Sequence, residues 1–179
     1  MSQAQRFFAA LLVAVFLGGC ATQPPPQRLP EDGRLQFSQY KFSVNGPPAG
    51  WGPSEPRIPG EFAAWSNAAT RSRIGIQAHK LQSDGSLRSV VEKFKAGMTP
   101  GTQDRPGTVA FTVKEEREID LDGRKFYRVV LGNSSTPADF IFYFLRGEEF
   151  VFSLSLAVLP GSYDQDLAVL EHMARGVGA

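Results

Sequence analysis

Reactive side chains are scarce in this sequence. Its 179 residues hold one cysteine and two histidines, and 19 Lys and Arg stand against 18 Asp and Glu. A lone cysteine leaves no partner for an internal disulfide. The histidines, His79 and His172, are far apart and fit no HxH or HExxH spacing, which argues against a zinc centre. A formal net charge of +1 gives no long-range pull toward nucleic acid, so no nucleic-acid partner is expected. There is no GxSxG elbow and no GxxxxGK[ST] loop, hence no recognisable nucleophile or phosphate cradle. No catalytic residue, metal or cofactor is expected on these grounds.

What is present starts at the N-terminus. Arg6 precedes the apolar run FFAALLVAVFL, which ends in Leu17-Gly18-Gly19-Cys20. The run is shorter than the ~20 residues of a spanning helix and has the order of a secretory signal. Its end resembles the bacterial lipobox, in which the cysteine becomes an acylated N-terminus. The expectation is a signal peptide over 1–19 and a lipid anchor at Cys20, with the bilayer as partner through the acyl chains. Ala21 lacks the aspartate that would hold such a lipoprotein at the inner membrane, which points to the periplasmic face of the outer membrane. The prolines within 20–34 favour polyproline II and read as a spacer.

From residue 35 the periodicities are those of a globular domain running to 179. Alternation predicts strands at 40–44, 62–65, 74–81, from 109 toward 119, 124–131, 140–145 and 150–157. Leu87, Val90, Val91, Phe94 and Met98 recur at helical spacing behind Ser86, and Tyr163, Leu167, Leu170, Ala174 and Val177 mark a second helix. Asp122-Gly123 reads as a hairpin turn. Phe140-Ile-Phe-Tyr-Phe-Leu145 is apolar on both faces and belongs inside a sheet. In the next strand a bulky face (Phe150, Phe152, Leu154, Leu156) opposes a small one (Val151, Ser153, Ser155, Ala157), read as the floor for the closely packed last helix. The class is α+β, an antiparallel sheet flanked by helices.

The order of these elements carries a resemblance. The Tyr40-to-Trp51 strand and loop, the RIGIQAHKL strand, the SLRSVVEKF helix, the EIDLDGRKFYRVVL hairpin and the terminal helix together resemble the PsbP-like superfamily over residues 35–179. The resemblance implies an α/β/α sandwich. The superfamily includes extrinsic photosystem II subunits, a Ran-binding import factor and many bacterial lipoproteins. Its members mostly bind or stabilise other proteins, which implies a non-catalytic binding or assembly module with an envelope protein as partner. No site motif comes with it.

One stretch is a candidate interaction surface. Residues 45–60 form a loop of unusual length, rich in proline and glycine, with Trp51 and Arg57 in it and Trp65 just beyond. The tryptophans either line a groove or pack beneath the loop as a satellite cluster, and packing is favoured. Fourteen phenylalanines and a membrane address also raise a carrier of an apolar or lipid ligand, although core packing absorbs most of those rings. A hydrolase would need a nucleophile and a base that spacing does not pair. Glu115-Glu116-Arg117-Glu118 reads as a solvated sheet edge.

Overall fold

In sequence order the domain alternates short strands with two amphipathic helices, and the strands pair only antiparallel. The computed structural model describes residues 27–28, 33–81, 85–98, 111–133 and 135–178. The signal segment, Cys20, most of the 20–34 stretch and the loop beyond Met98 lie outside them. Seven strands form the main sheet: β4 (Gly52–Pro53), β5 (Glu61–Asn67), β6 (Ser72–Lys80), β7 (Phe111–Leu121), β8 (Arg124–Asn133), β9 (Asp139–Arg146) and β10 (Phe150–Val158). Their order is β4-β5-β6-β10-β9-β8-β7. A second sheet joins β1 (Gln27–Arg28), β2 (Arg34–Phe37) and β3 (Phe42–Asn45). The helices are α1 (Leu87–Met98) and α2 (Tyr163–Arg175). This is the expected α+β architecture, with α1 on one face of the main sheet and α2 plus the small sheet on the other.

The two-faced strand is internal, as its pattern predicts. On β9, Phe140, Phe142 and Phe144 turn to the α1 face, where Phe94 packs edge-on against Phe142 and Phe144 at 4.6 and 5.2 Å. Ile141 and Tyr143 turn to the α2 face and meet Leu154, Leu156, Leu170 and Met173. Each such fully buried large apolar side chain contributes roughly 1.5–3 kcal/mol, so both helices are held by their stripes. Ser86 caps α1: the Ser89 amide donates to Ser86 Oγ and the Ser86 amide to Ser89 Oγ, both at 3.1 Å, a reciprocal capping pair. At the β7–β8 turn Asp122 and Gly123 take φ values of 55° and 81°, the left-handed pair of a tight hairpin.

Three expectations need correction. The strand expected at 40–44 starts at Phe42, because Ser38–Tyr40 is a 3-10 turn closed by Lys41 at φ 49°. Within the stretch read as a spacer, Gln27 and Arg28 already pair with Gln36 and Leu35. The terminal helix does not lie on the small face of β10. Phe152, Leu154 and Leu156, its bulky face, meet α2, while Ser153 and Ser155 turn to the α1 side. Alternation shows that two faces differ, but not which element covers each.

Candidate functional site

On the small face of β10, Ser153 and Ser155 meet His79, Gln77 and Gly75 of β6, and the loop is fastened over β6 beside them. On β6, Ile74, Ile76 and Ala78 point to the α2 face, so Arg73, Gly75, Gln77 and His79 line the other, opposite Ala157, Ser155, Ser153 and Val151. A bulge between Glu61 and Ala63 shifts the register of β5 and sets Glu61 on this same face, over Gly75. A Cβ at position 75 would run into the Glu61 carboxylate and come within 3.1 Å of Ser155 Oγ. Glycine is needed there for space.

That carboxylate organises the cover. Glu61 is fully enclosed, and Arg73 donates to both of its oxygens at 2.7 and 2.6 Å, a bidentate pair. The Arg57 amide donates to Glu61 Oε2 at 2.6 Å, Arg73 reaches the Glu55 carbonyl at 3.0 Å, and Gln77 Nε2 reaches the Pro59 carbonyl at 3.2 Å. Backbone bonds from Ser54 to Ala64 and from Ala78 to Gly60 fasten both ends. The expected 45–60 loop is interrupted by β4, where Gly52 and Pro53 pair with Ser66 and Trp65; beyond it, five of these contacts go to backbone groups of the 54–60 segment, which is held in one conformation without regular structure. Arg57 and Ile58 are carried on its outside, with Ile58 43% exposed.

The sequence candidates separate. Trp65 is buried in the main core on the α2 face, and half-buried Trp51 packs against that core. Arg57 lies on the cover, whose bonds to Glu61, Arg73 and Gln77 belong to the α1 face. The three therefore do not converge on one groove. Glu61 and Arg73, whose ion pair orders the cover, go unnoticed in sequence, and Gln77 and Ser153 stand out there only as members of the less apolar strand faces. The signal was there in the alternation of polar residues with isoleucines along RIGIQAHKL.

Two clefts adjoin this region. One, of about 460 Å³, opens between α1 and β6 and is lined by His79, Lys80, Gly85, Ser89, Val90, Lys93 and Phe94. Burial lowers the pKa of His79 below the ordinary imidazole value. Its Nε2 stands 3.3 Å from Ser153 Oγ, and that hydroxyl donates to Gln77 Oε1 at 3.2 Å. A serine beside a histidine invites a nucleophile reading, but Ser153 is fully enclosed, so of this hydrogen-bonded pair only the imidazole lines the cleft. His172 is exposed on α2, as its helical position predicts.

The second cleft, about 160 Å³, lies at the end of the sandwich where the 38–41 turn meets the β9–β10 turn; it is lined by Gln39, Tyr40, Lys41, Phe150 and Phe152 among others. Along the free edge of β7, the acidic run is less solvated than its composition suggests. Glu116 binds Lys95 of α1 at 2.8 Å and accepts from Tyr127, and these hydrogen bonds lower its pKa. Glu115 stands near Arg117 and Arg128. Among the described residues no group of three or more His, Cys, Asp or Glu side chains is placed to hold a metal ion, and no helix is long and apolar enough to cross a membrane.

No protein-family model matches the chain, and no curated protein matches its sequence. Solved structures do match its fold. The cyanobacterial PsbP (CyanoP) from Synechocystis sp. PCC 6803 superimposes with a TM-score of 0.64 at 13% identity, over 91% of this chain and 98% of that one. The Saccharomyces cerevisiae Ran-binding protein Mog1p gives 0.52 at 11% identity, over 81% and 93%. At these identities the likeness is one of fold, and the fold is PsbP-like.

Proposed function

We propose that the protein is a non-catalytic binding or assembly module, tethered through an acylated Cys20 to the periplasmic face of the outer membrane. On this reading it presents Arg57 and Ile58 to an envelope protein. The observation that carries it is the pinned cover: irregular backbone fixed by a buried ion pair, with a cation and an aliphatic side chain outermost. Because the order is already present before binding, a partner meets a surface with little entropy left to lose. The sequence order of small-residue signal and cysteine supports the address. A protein-binding role on this fold has a parallel in Mog1p, which is described as Ran-binding. Fold likeness alone would not carry the reading.

The rival readings meet specific obstacles. A carrier of an apolar ligand would enclose it in an apolar cavity, yet the aromatic end cleft of about 160 Å³ falls below the roughly 300–1,000 Å³ of ligand pockets, and the cleft of about 460 Å³, which is large enough, is lined mostly by polar and charged residues, His79, Lys80, Ser89 and Lys93 among them. A hydrolase would need an accessible nucleophile, and Ser153 is sealed.

Photocrosslinkers at Arg57 and Ile58 in living cells test the module. One or a few envelope proteins should be captured, and Trp51 should lie nearer to the captured partner than His79 or His172. No protein adduct, together with stoichiometric lipid in the natively extracted protein, would replace the module by the carrier. Metabolic labelling with a palmitate analogue tests the address. Label that survives Cys20→Ser would overturn it.

A further inference from the structure

We infer that the end of the sandwich formed by the 38–41 turn and the β9–β10 turn rests on the bilayer, and that its cleft seats a zwitterionic phospholipid. This rests on the acylation of Cys20 proposed above. Strand register supplies the direction. Gln27 pairs with Gln36 and Arg28 with Leu35, antiparallel, so β1 has its N-terminal end, Gln27, on the side of the 38–41 turn. Residues 21–26 separate that strand from Cys20. A chain of that length spans at most roughly 20–25 Å in any conformation. The opposite end of the sheet, at the β5–β6 turn, is a whole strand farther away, about 30 Å at 3.3 Å per residue. A tether of that length favours contact at the near end.

The chemistry of this end suits a lipid that carries both signs of charge. Lys41 Nζ stands 3.8 Å from a Glu148 carboxylate oxygen and 3.9 Å from one of Glu149, and all three side chains are mostly exposed. A phosphate would pair with the lysine and an ammonium with the two carboxylates. An anionic headgroup without an ammonium would meet two carboxylates for each lysine. Behind this rim the wall is aromatic. Tyr40 stacks on Phe62 at 4.3 Å and meets Phe150 edge-on at 5.5 Å, while Phe42 stacks on Phe152 at 4.3 Å. Half-buried tyrosine and phenylalanine below a charged rim match the polarity gradient from headgroup to acyl chain. The volume admits the first methylenes of one chain and no more, so the lipid stays in its bilayer. The aromatic end thus seats a lipid without carrying it.

The test uses the full chain in cells, with a photoreactive residue at exposed Gln39, which lines the cleft, and at exposed Ala68 in the β5–β6 turn as control. Palmitate-analogue label is followed in the same samples. The expected result is a phosphoethanolamine-type phospholipid adduct at 39 and little at 68, with Lys41→Gln reducing the adduct at 39 about fivefold, the loss of one surface charge contact. A protein adduct at 39 in place of lipid, lipid adducts of equal yield at both positions, or no adduct at 39 in labelled protein would each overturn the docking while leaving the address standing. Absence of label from Cys20 would overturn the address and the docking with it.

Discussion

The two faces of the main sheet are covered in different ways. On the α2 face, Leu154, Leu156, Ile74, Ile76, Leu170 and Met173 are all fully buried in one apolar cluster that continues into the small sheet. On the α1 face the apolar cluster is smaller, centred on Val91, Val129, Leu131, Phe142 and Phe144, and it stops at β10. Beyond that line the floor is Gly75, Gln77, Ser153 and Ser155, and the cover is a loop fastened by hydrogen bonds and one enclosed carboxylate. Apolar burial is non-directional and tolerates repacking, whereas a polar network works only when its geometry is complete. The α2 face therefore acts as the general support of the fold. The α1 face spends its specificity on holding a surface segment in place.

The largest expected effect breaks the polar side of this comparison. Arg73→Met leaves the enclosed Glu61 carboxylate with only the Arg57 amide, and should cost about 3–5 kcal/mol in denaturant unfolding. The double variant Glu61→Gln/Arg73→Met should recover part of that loss, because no buried charge is left unpaired. A single-variant cost below about 1 kcal/mol would show that solvent relieves the carboxylate, and the pinned cover would lose its basis. On the apolar side, Leu154→Ala removes a fully buried side chain and should cost about 2–5 kcal/mol. The two losses are of similar size but differ in kind. Only Arg73→Met should raise protease cleavage within 54–60 under native conditions; equal cleavage in both variants would mean that the faces are not independent.

Gly75→Ala probes the contact between floor and cover. The added methyl would push Glu61 off its hydrogen bonds, at a cost of about 1–3 kcal/mol. A neutral outcome would show that the bulge at Glu61 can slide. Smaller again is the capping pair of α1, where Ser86→Ala should cost about 1 kcal/mol with little change at the cover. Helix loss detected by amide exchange in the first turn would check it.

How far the sequence reveals this depends on range. Period-two and period-3.6 patterns are local, so the internal position of Phe140 to Leu145, the Asp122-Gly123 turn and the α1 stripe could all be read directly. Burial partners across the sheet are not local. Glu61 and Arg73 are twelve residues apart, and the bulge that puts them on one face has no signature in a string where Glu61 precedes Phe62-Ala63-Ala64-Trp65. For Trp65 packing beneath the loop is the favoured reading, and what the sequence does not show is which cluster it joins. The register with Ile74 turns it into the main core and not into a satellite cluster. The small face of β10 suggested a close-packed helix because serine and alanine permit one; that Gln77 and His79 of β6 meet Ser153 instead could not be seen from β10 itself.

The smallest effect concerns His79, at the junction of the two kinds of cover on the α1 face. Burial lowers its pKa in the folded protein relative to about 6.5 in the unfolded chain. Above the unfolded value the imidazole is neutral in both states and contributes no pH dependence. As pH falls through about 6.5 the unfolded chain takes up a proton that the folded protein still resists, so stability declines toward the folded pKa and levels off below it. Ser153 and Gln77 persist as hydrogen-bonding neighbours throughout. His79→Gln should remove this acid-side decline while leaving stability near pH 8 almost unchanged, as read from unfolding midpoints across the pH range. If His79 in the folded protein titrates at or above the unfolded value by NMR, the cleft floor is wetter than its burial indicates. The distinction drawn between a sealed Ser153 and an accessible imidazole would then have to be withdrawn.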